Sequence, residues 1–182
     1  MQNIPHLTNV TLANCSFWSI PSGIEYLKEV TKLDLSGCRL GSLPESIGNL
    51  SKLTTLDLSS HDQLFMHMSS LRDLPKSFGN LTKLRSLSLS SWISELPSSI
   101  GNLSHLTSLN LNNCQKLASL PESIGNLHEL ISLDVSYCYN LTTITDSIGN
   151  LSKLTSLNLH SCFKIKSLPD SIHALQLGME DL

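Results

Sequence analysis

Five cysteines (Cys15, Cys38, Cys114, Cys138 and Cys162) and a short cluster of His61, Asp62 and His67 carry the strongest intrinsic chemistry in this 182-residue chain. Thiolates and imidazoles ligate zinc, and paired thiols form disulfides. The spacing favours neither. No C-x-x-C pair occurs, and the His/Asp cluster is one short stretch without a fourth ligand. An odd cysteine count, with every member at the same position after a repeated L-x-L, argues against a disulfide framework. That position points to a structural role instead: a small side chain that buries in a bend and uses its weak S–H donor on the backbone of an adjacent coil. Reduced thiols predict a cytoplasmic location. In adjacent coils, Cys114, Cys138 and Cys162 would stand about 5 Å apart at Cα, within disulfide range, so air oxidation is a handling hazard. Ser/His/Asp and carboxylate pairs do not stand out, because a serine-rich repeat supplies such pairs throughout. The expectation is a chain without catalysis, metal or cofactor.

The elements that position these residues follow from a repeat. The chain divides into seven units beginning at Ile4, Leu27, Leu50, Leu81, Leu103, Leu127 and Leu151, at spacings of 23, 23, 31, 22, 24 and 24 residues. The second unit shows the pattern whole: Leu27, Val30, Leu33, Leu35, Cys38, Leu40, Leu43, Pro44, Ile47, Gly48, Asn49. In L-x-L, two apolar residues at period two point to one side of a short strand. The following L-P-x-x-I-G-N-L-x-x-L has apolar offsets near three and four, which predicts a turn or two of helix. Pro44, Pro75, Pro97, Pro121 and Pro169 suit a first helical position, where no backbone N–H is needed. The glycine of each G-N-L is expected to permit the bend back toward the next strand. No unit buries enough apolar surface to fold alone, so units must stack and lend each other ladder partners and walls. The nonapeptide SLPESIGNL, present at 42–50 and again at 119–127, is therefore scaffolding, and function belongs to the positions that vary.

These units resemble leucine-rich repeats from Ile4 to about Leu177. The stretch LDLSGCRLGSLPESIGNLSKLTTLDLSS is most similar to the repeat regions of plant intracellular disease-resistance receptors of the TIR/nucleotide-binding type. The cysteine after the strand and the L-P-x-x-I-G-N-L carry the likeness. The resemblance implies an α/β solenoid of about seven repeats, curved, with a parallel strand ladder on the concave face and short helical turns on the convex face. It implies a single domain over 1–182, and the surplus of about eight residues in the 31-residue unit marks an inserted loop at 62–69. It also implies non-catalytic protein recognition, most simply within an immune receptor. Two alternatives are a standalone cytosolic scaffold binding a small GTPase or kinase, and an extracellular receptor or inhibitor domain. The chain has no G-x-x-x-x-G-K-[ST] phosphate loop, so nucleotide binding does not carry over.

Candidate partner-binding residues lie in two places. Outward strand positions include Lys32, Asp34, Asp57, Asn110, Asp134, Asn158 and, one step further, His160. This face is small and polar. The larger side chains that mark binding hot spots cluster where strands end: Trp18, Trp92, Tyr137, Tyr139 and Phe163. Phe17 is read as core because it replaces Leu40. The 31-residue unit adds an apolar insert with Leu64, Phe65 and Met66, a type of segment suited to adaptable contacts.

The balance of 12 basic and 15 acidic residues offers no basic face for nucleic acid and no polybasic membrane patch. No apolar run is long enough for a membrane span, and the start lacks the charge and hydropathy pattern of a signal peptide. The seven N-x-[ST] triplets come mostly from the repeat's own G-N-L-[ST] and are read as unused. Neither end carries a full capping unit, which predicts a piece of a larger protein and end-to-end self-association through an uncapped core.

Overall fold

The computed structural model describes residues 6–60, 71–89 and 93–175. The insert with Leu64, Phe65 and Met66, the His61/Asp62/His67 cluster and Trp92 lie outside them.

Each unit makes one coil with one three-residue strand: β1 Asn9–Thr11, β2 Lys32–Asp34, β3 Thr55–Asp57, β4 Ser86–Ser88, β5 Ser108–Asn110, β6 Ser132–Asp134 and β7 Ser156–Asn158. They form one parallel sheet in sequence order. The register places Val10, Leu33, Leu56, Leu87, Leu109, Leu133 and Leu157 in one row. From Leu33 onward this row is sealed from solvent. The surplus residues of the third unit leave the ladder intact, since Thr55 still pairs with Ser86.

Hydroxyls extend the ladder at the leading end of the strands. Thr31, Thr54 and Thr107 each donate from Oγ1 to the carbonyl of the equivalent residue one coil back, at 3.2, 2.9 and 2.9 Å. The opposite face of the solenoid is built from seven five-residue 3-10 turns: η1 Ser22–Tyr26, η2 Glu45–Asn49, η3 Lys76–Asn80, η4 Ser98–Asn102, η5 Glu122–Asn126, η6 Asp146–Asn150 and η7 Asp170–Ala174. Between sheet and turns runs a continuous aliphatic core, with Phe78 its largest fully buried side chain. Phe17 packs against this core, half-buried.

Two sequence expectations need correction. The prolines are not first-turn residues. Pro44, Pro75, Pro97, Pro121 and Pro169 precede their turns with extended ψ of 150 to 154°. Their carbonyls accept the first turn bond, as in Ile47 N–H to Pro44 O at 3.0 Å. A 3-10 turn bonds three residues apart, so the acceptor for Ile47 N–H is Pro44 itself and not Leu43, as an α-helix would have it.

The glycines do not serve the bend. Among the described glycines only Gly37 has positive φ. A Cβ on Gly48, Gly79, Gly101 or Gly125 would stand 2.3 to 2.7 Å from the backbone oxygen of Ser77, Ser99, Ser123 or Ser147 on the following coil. Hydrogen is required there because adjacent coils touch through their backbones.

Candidate protein-binding surface

Where β1, β2, β5, β6 and β7 end, the chain turns sharply through one residue in the left-handed region: Asn14, Gly37, Asn113, Tyr137 and Ser161, with φ between 59 and 67°. The turn directs N–H groups forward to the next coil, as in Asn14 to Ser36 O at 2.7 Å and Tyr137 to His160 O at 2.8 Å. The cysteine that follows donates backward. Cys38, Cys138 and Cys162 Sγ reach the carbonyls of Leu12, Leu111 and Val135 at 2.9, 3.3 and 3.1 Å. All five cysteines are free thiols. Burial pushes the Cys138 thiol up to about 12 and raises Cys38, Cys114 and Cys162 as well. These thiols are poor nucleophiles and poor metal ligands, because both roles need the thiolate. Among the described residues no group of three or more His, Cys, Asp or Glu is placed to hold a metal ion.

The strand-face candidates turn out to be half spent on the fold. The side-chain oxygens of Asp34, Asp57, Asn110, Asp134 and Asn158 accept the backbone N–H two residues on, from Ser36, Ser59, Asn112, Ser136 and His160, at 2.8 to 3.0 Å. Each is an Asx turn that guides the chain out of its strand. Asp134 also accepts from Ser136 Oγ, whose oxygen receives Asn112 Nδ2 at 2.7 Å. Lys32 is exposed on the same face.

The aromatic candidates separate into two groups. Tyr137, Tyr139, His160 and Phe163 come together on the exit edge of the sixth and seventh coils. The Tyr139 and Phe163 rings stack, with centroids 6.0 Å apart and planes within 3°. Tyr137 meets Tyr139 edge-on at 6.3 Å and His160 at 5.2 Å. Phe163 is 80 % exposed and Tyr137 and Tyr139 each 39 %. Trp18, 53 % exposed, belongs to the first coil, five strand spacings or roughly 24 Å away along the ladder. Trp18 is therefore no part of this ring cluster.

Sequence reasoning passed over two exposed features. Ile131 occupies the column where other units carry the ladder threonines. Tyr26 borders a groove of about 760 Å³ over the first three coils, lined also by Glu25, Glu29, Asn49, Lys52 and Asn80. There Glu29 pairs with Lys52 at 2.6 Å, and Asn49 Nδ2 donates to Glu25. The signal was available as column breaks: Glu25 and Tyr26 replace the usual Gly and Asn.

Comparison with known families finds a match to the model described as "Leucine-rich repeat region" over residues 74–178, with a further "Leucine Rich Repeat" over 29–50. The first alone spans more than half of the chain. The chain belongs to the leucine-rich repeat family. Comparison with curated proteins finds no match. Several solved leucine-rich repeat structures are similar. A leucine-rich repeat protein of Leptospira interrogans is 29 % identical with a TM-score of 0.81, over 94 % of this chain and 41 % of that one. The repeat domain of the type III effector XopL is 26 % identical with a TM-score of 0.69, over 97 % and 68 %. PEPR1, in the PEPR1–AtPEP1 structure, is 29 % identical with a TM-score of 0.69, over 93 % and 24 %. This leucine-rich repeat array thus spans less than half the length of the Leptospira protein and of PEPR1. Among its described residues no helix is long and apolar enough to cross a membrane.

Proposed function

We propose that this leucine-rich repeat array is a non-catalytic protein-recognition module whose partner seats on the exit edge of the sixth and seventh coils. The observation that carries the reading is the ring cluster Tyr137–Tyr139–His160–Phe163, with the Phe163 ring parallel to Tyr139 at 6.0 Å and the residue still 80 % exposed. Exposed aromatics held by one another lose little side-chain entropy when a partner covers them, which is what a hot spot needs. Tyr137 adds a second indication. It is a bulky residue in the left-handed region, where asparagine, glycine or serine stands in other coils. Backbone strain of this kind persists where surrounding structure or function over-determines it.

The test is alanine substitution at Tyr139 and Phe163, with Trp18→Ala as the distant control. Affinity for a partner isolated with the intact chain should fall about tenfold or more for each edge variant, as for residues at the centre of an interface. Unchanged affinity in both would move the contact surface elsewhere.

The wider setting we infer is the recognition part of a cytoplasmic immune receptor of the plant type. Free thiols support a reducing compartment, and the cysteine and L-P-x-x-I-G-N-L pattern supports the receptor likeness. Sequencing the transcript upstream of Met1 tests this. A phosphate-loop switch domain in frame would support the receptor reading, and a stop codon there would favour the standalone scaffold.

A further inference from the structure

We propose that the partner segment received on this edge is an acidic peptide carrying an aromatic or large aliphatic side chain; this rests on the reading above that the edge of the sixth and seventh coils is the contact surface. The exit segments of the fifth, sixth and seventh coils, residues 112–120, 136–144 and 160–168, contain Lys116, Lys164 and Lys166 together with His160, and no aspartate or glutamate. Yet the chain as a whole carries three more acidic than basic residues. All three lysines are exposed. The two ion pairs among the described residues, Glu29–Lys52 and Glu129–Lys153, involve none of them.

Lys164 is also positioned. Its Nζ donates to Asn140 Oδ1, and Asn140 Nδ2 donates in turn to Gln115 O at 2.7 Å. This bridge crosses three coils, and Asn140 and Lys164 are the residues that follow the Tyr139 and Phe163 rings in sequence. The Asn140 amide oxygen is a neutral acceptor, so this bond does not pair the ammonium with a carboxylate. Asp134 is the nearby carboxylate on the strand face, and its Oδ1 is engaged by Ser136. An apolar side chain on the open face of Phe163, with carboxylates reaching Lys164, Lys166 and Lys116, satisfies both the rings and the charge.

Nucleic acid would also use rings and lysines. It fits less well. Glu122, Asp146 and Asp170 open the three 3-10 turns that immediately follow these segments, so the basic zone is narrow and bordered by acid. A short peptide stays within the zone, while a long phosphate backbone runs into its border. With screening over about 8 Å at physiological salt, only the local patch matters to the peptide.

The experiment selects a random displayed peptide library on the intact chain. Recovered sequences are then synthesised and titrated against the wild type, Lys116→Glu/Lys164→Glu/Lys166→Glu, the corresponding triple glutamine variant, and Tyr139→Ala/Phe163→Ala. An oligothymidylate is titrated in parallel, and urea melts confirm that each variant folds. We expect recovered peptides to be net acidic with at least one large apolar residue. Their affinity should fall at least about tenfold in the charge-reversed variant, less in the glutamine variant, and steadily with added salt. Peptides that need the rings but are neutral or basic, or that ignore the lysine variants, would sink the acidic-partner inference and leave the edge reading intact. Peptides indifferent to the ring variant would sink the edge reading itself. Selective binding of oligothymidylate through the lysines, or no enrichment at all, would overturn the proposal.

Discussion

The backbone oxygen of Ser77 lies 2.3 Å from the point where a Cβ on Gly48 would stand, and Ser77 Cβ lies 2.7 Å from it. Two neighbouring coils meet there, with the Ser77 backbone and Cβ packed against the bare Cα of Gly48. Gly48→Ala gains about 0.4–1 kcal/mol by restricting the unfolded chain, but forcing the coils apart costs about 1–3 kcal/mol. The clash wins, so a net loss of about 1–2 kcal/mol is expected in a urea melt. Gly41 is the control. Its nearest atoms are 3.7 Å away, and Gly41→Ala should be neutral or slightly stabilising.

Ser123 presents the other side of this contact one pair of coils later. Its hydroxyl is buried without a hydrogen-bond partner, as are those of Ser99 and Ser171. An unmade bond costs about 1–3 kcal/mol of desolvation. Ser123→Ala keeps the Cβ that packs on Gly101 and removes that cost, so the melt should be unchanged or shift toward higher stability. A clear loss would show that the hydroxyl is satisfied in solution.

Asp134 holds the strand exit by accepting from Ser136 N–H at 2.8 Å and from Ser136 Oγ. Ser136 is 1 % exposed, so water does not replace the lost partner. Asp134→Ala should destabilise by about 1–3 kcal/mol, and Asp134→Asn should recover most of it, because the amide oxygen still accepts. If both variants melt like the wild type yet partner affinity falls, Asp134 belongs to the interface and not to the turn.

Tyr137 sits at φ 59°. The left-handed conformation costs roughly 1–2 kcal/mol for a residue with a Cβ. Its ring contacts with Tyr139 and His160 return about 0.5–1 kcal/mol at an exposed site. Tyr137→Gly should therefore raise stability slightly while weakening partner binding. A variant that melts earlier would mean that the ring contacts outweigh the strain.

Burial raises the Cys138 thiol from 9.0 to about 12. A raised folded value favours the protonated form in the native state. The stability it contributes is complete below pH 9 and is lost as pH rises toward 12. A pH series of thermal melts should show this alkaline decline, reduced in Cys138→Ala after correction for the cavity. At mildly alkaline pH, a thiol-reactive dye should label Cys15, the one cysteine that is not buried, before the others.

Much of the fold was legible because period and burial coincide in a repeat. The period-two apolar pair of each unit predicted all seven strands, and Leu33, Leu56, Leu87, Leu109, Leu133 and Leu157 are the inward residues that this period requires. The cysteine column was legible for the same reason: Cys38 and Cys138 bond the preceding coil as their position implied. The glycine column was assigned the wrong cause. A glycine at a bend and a glycine under a neighbouring backbone have the same sequence signature, and only the distance from Gly48 to Ser77 separates them.

The candidate surface was less legible, because a list of exposed residues contains no adjacency. Asp34 and Asn110 are outward by parity, but their oxygens are engaged by backbone two residues on. Trp18 and Phe163 are equally conspicuous by type, but they stand at opposite ends of the ladder.

By itself, the sequence determined the architecture, since apolar residues at fixed intervals have one way to be buried together in stacked coils. Tertiary structure decided what depends on the spacing between coils. Parallel register turns positions 24 or 25 apart in sequence into neighbours, which stacks Tyr139 on Phe163 and lines Gln115, Asn140 and Lys164 along one edge. Local pattern says that each of these side chains is exposed. Only the stacking of whole coils makes them one surface.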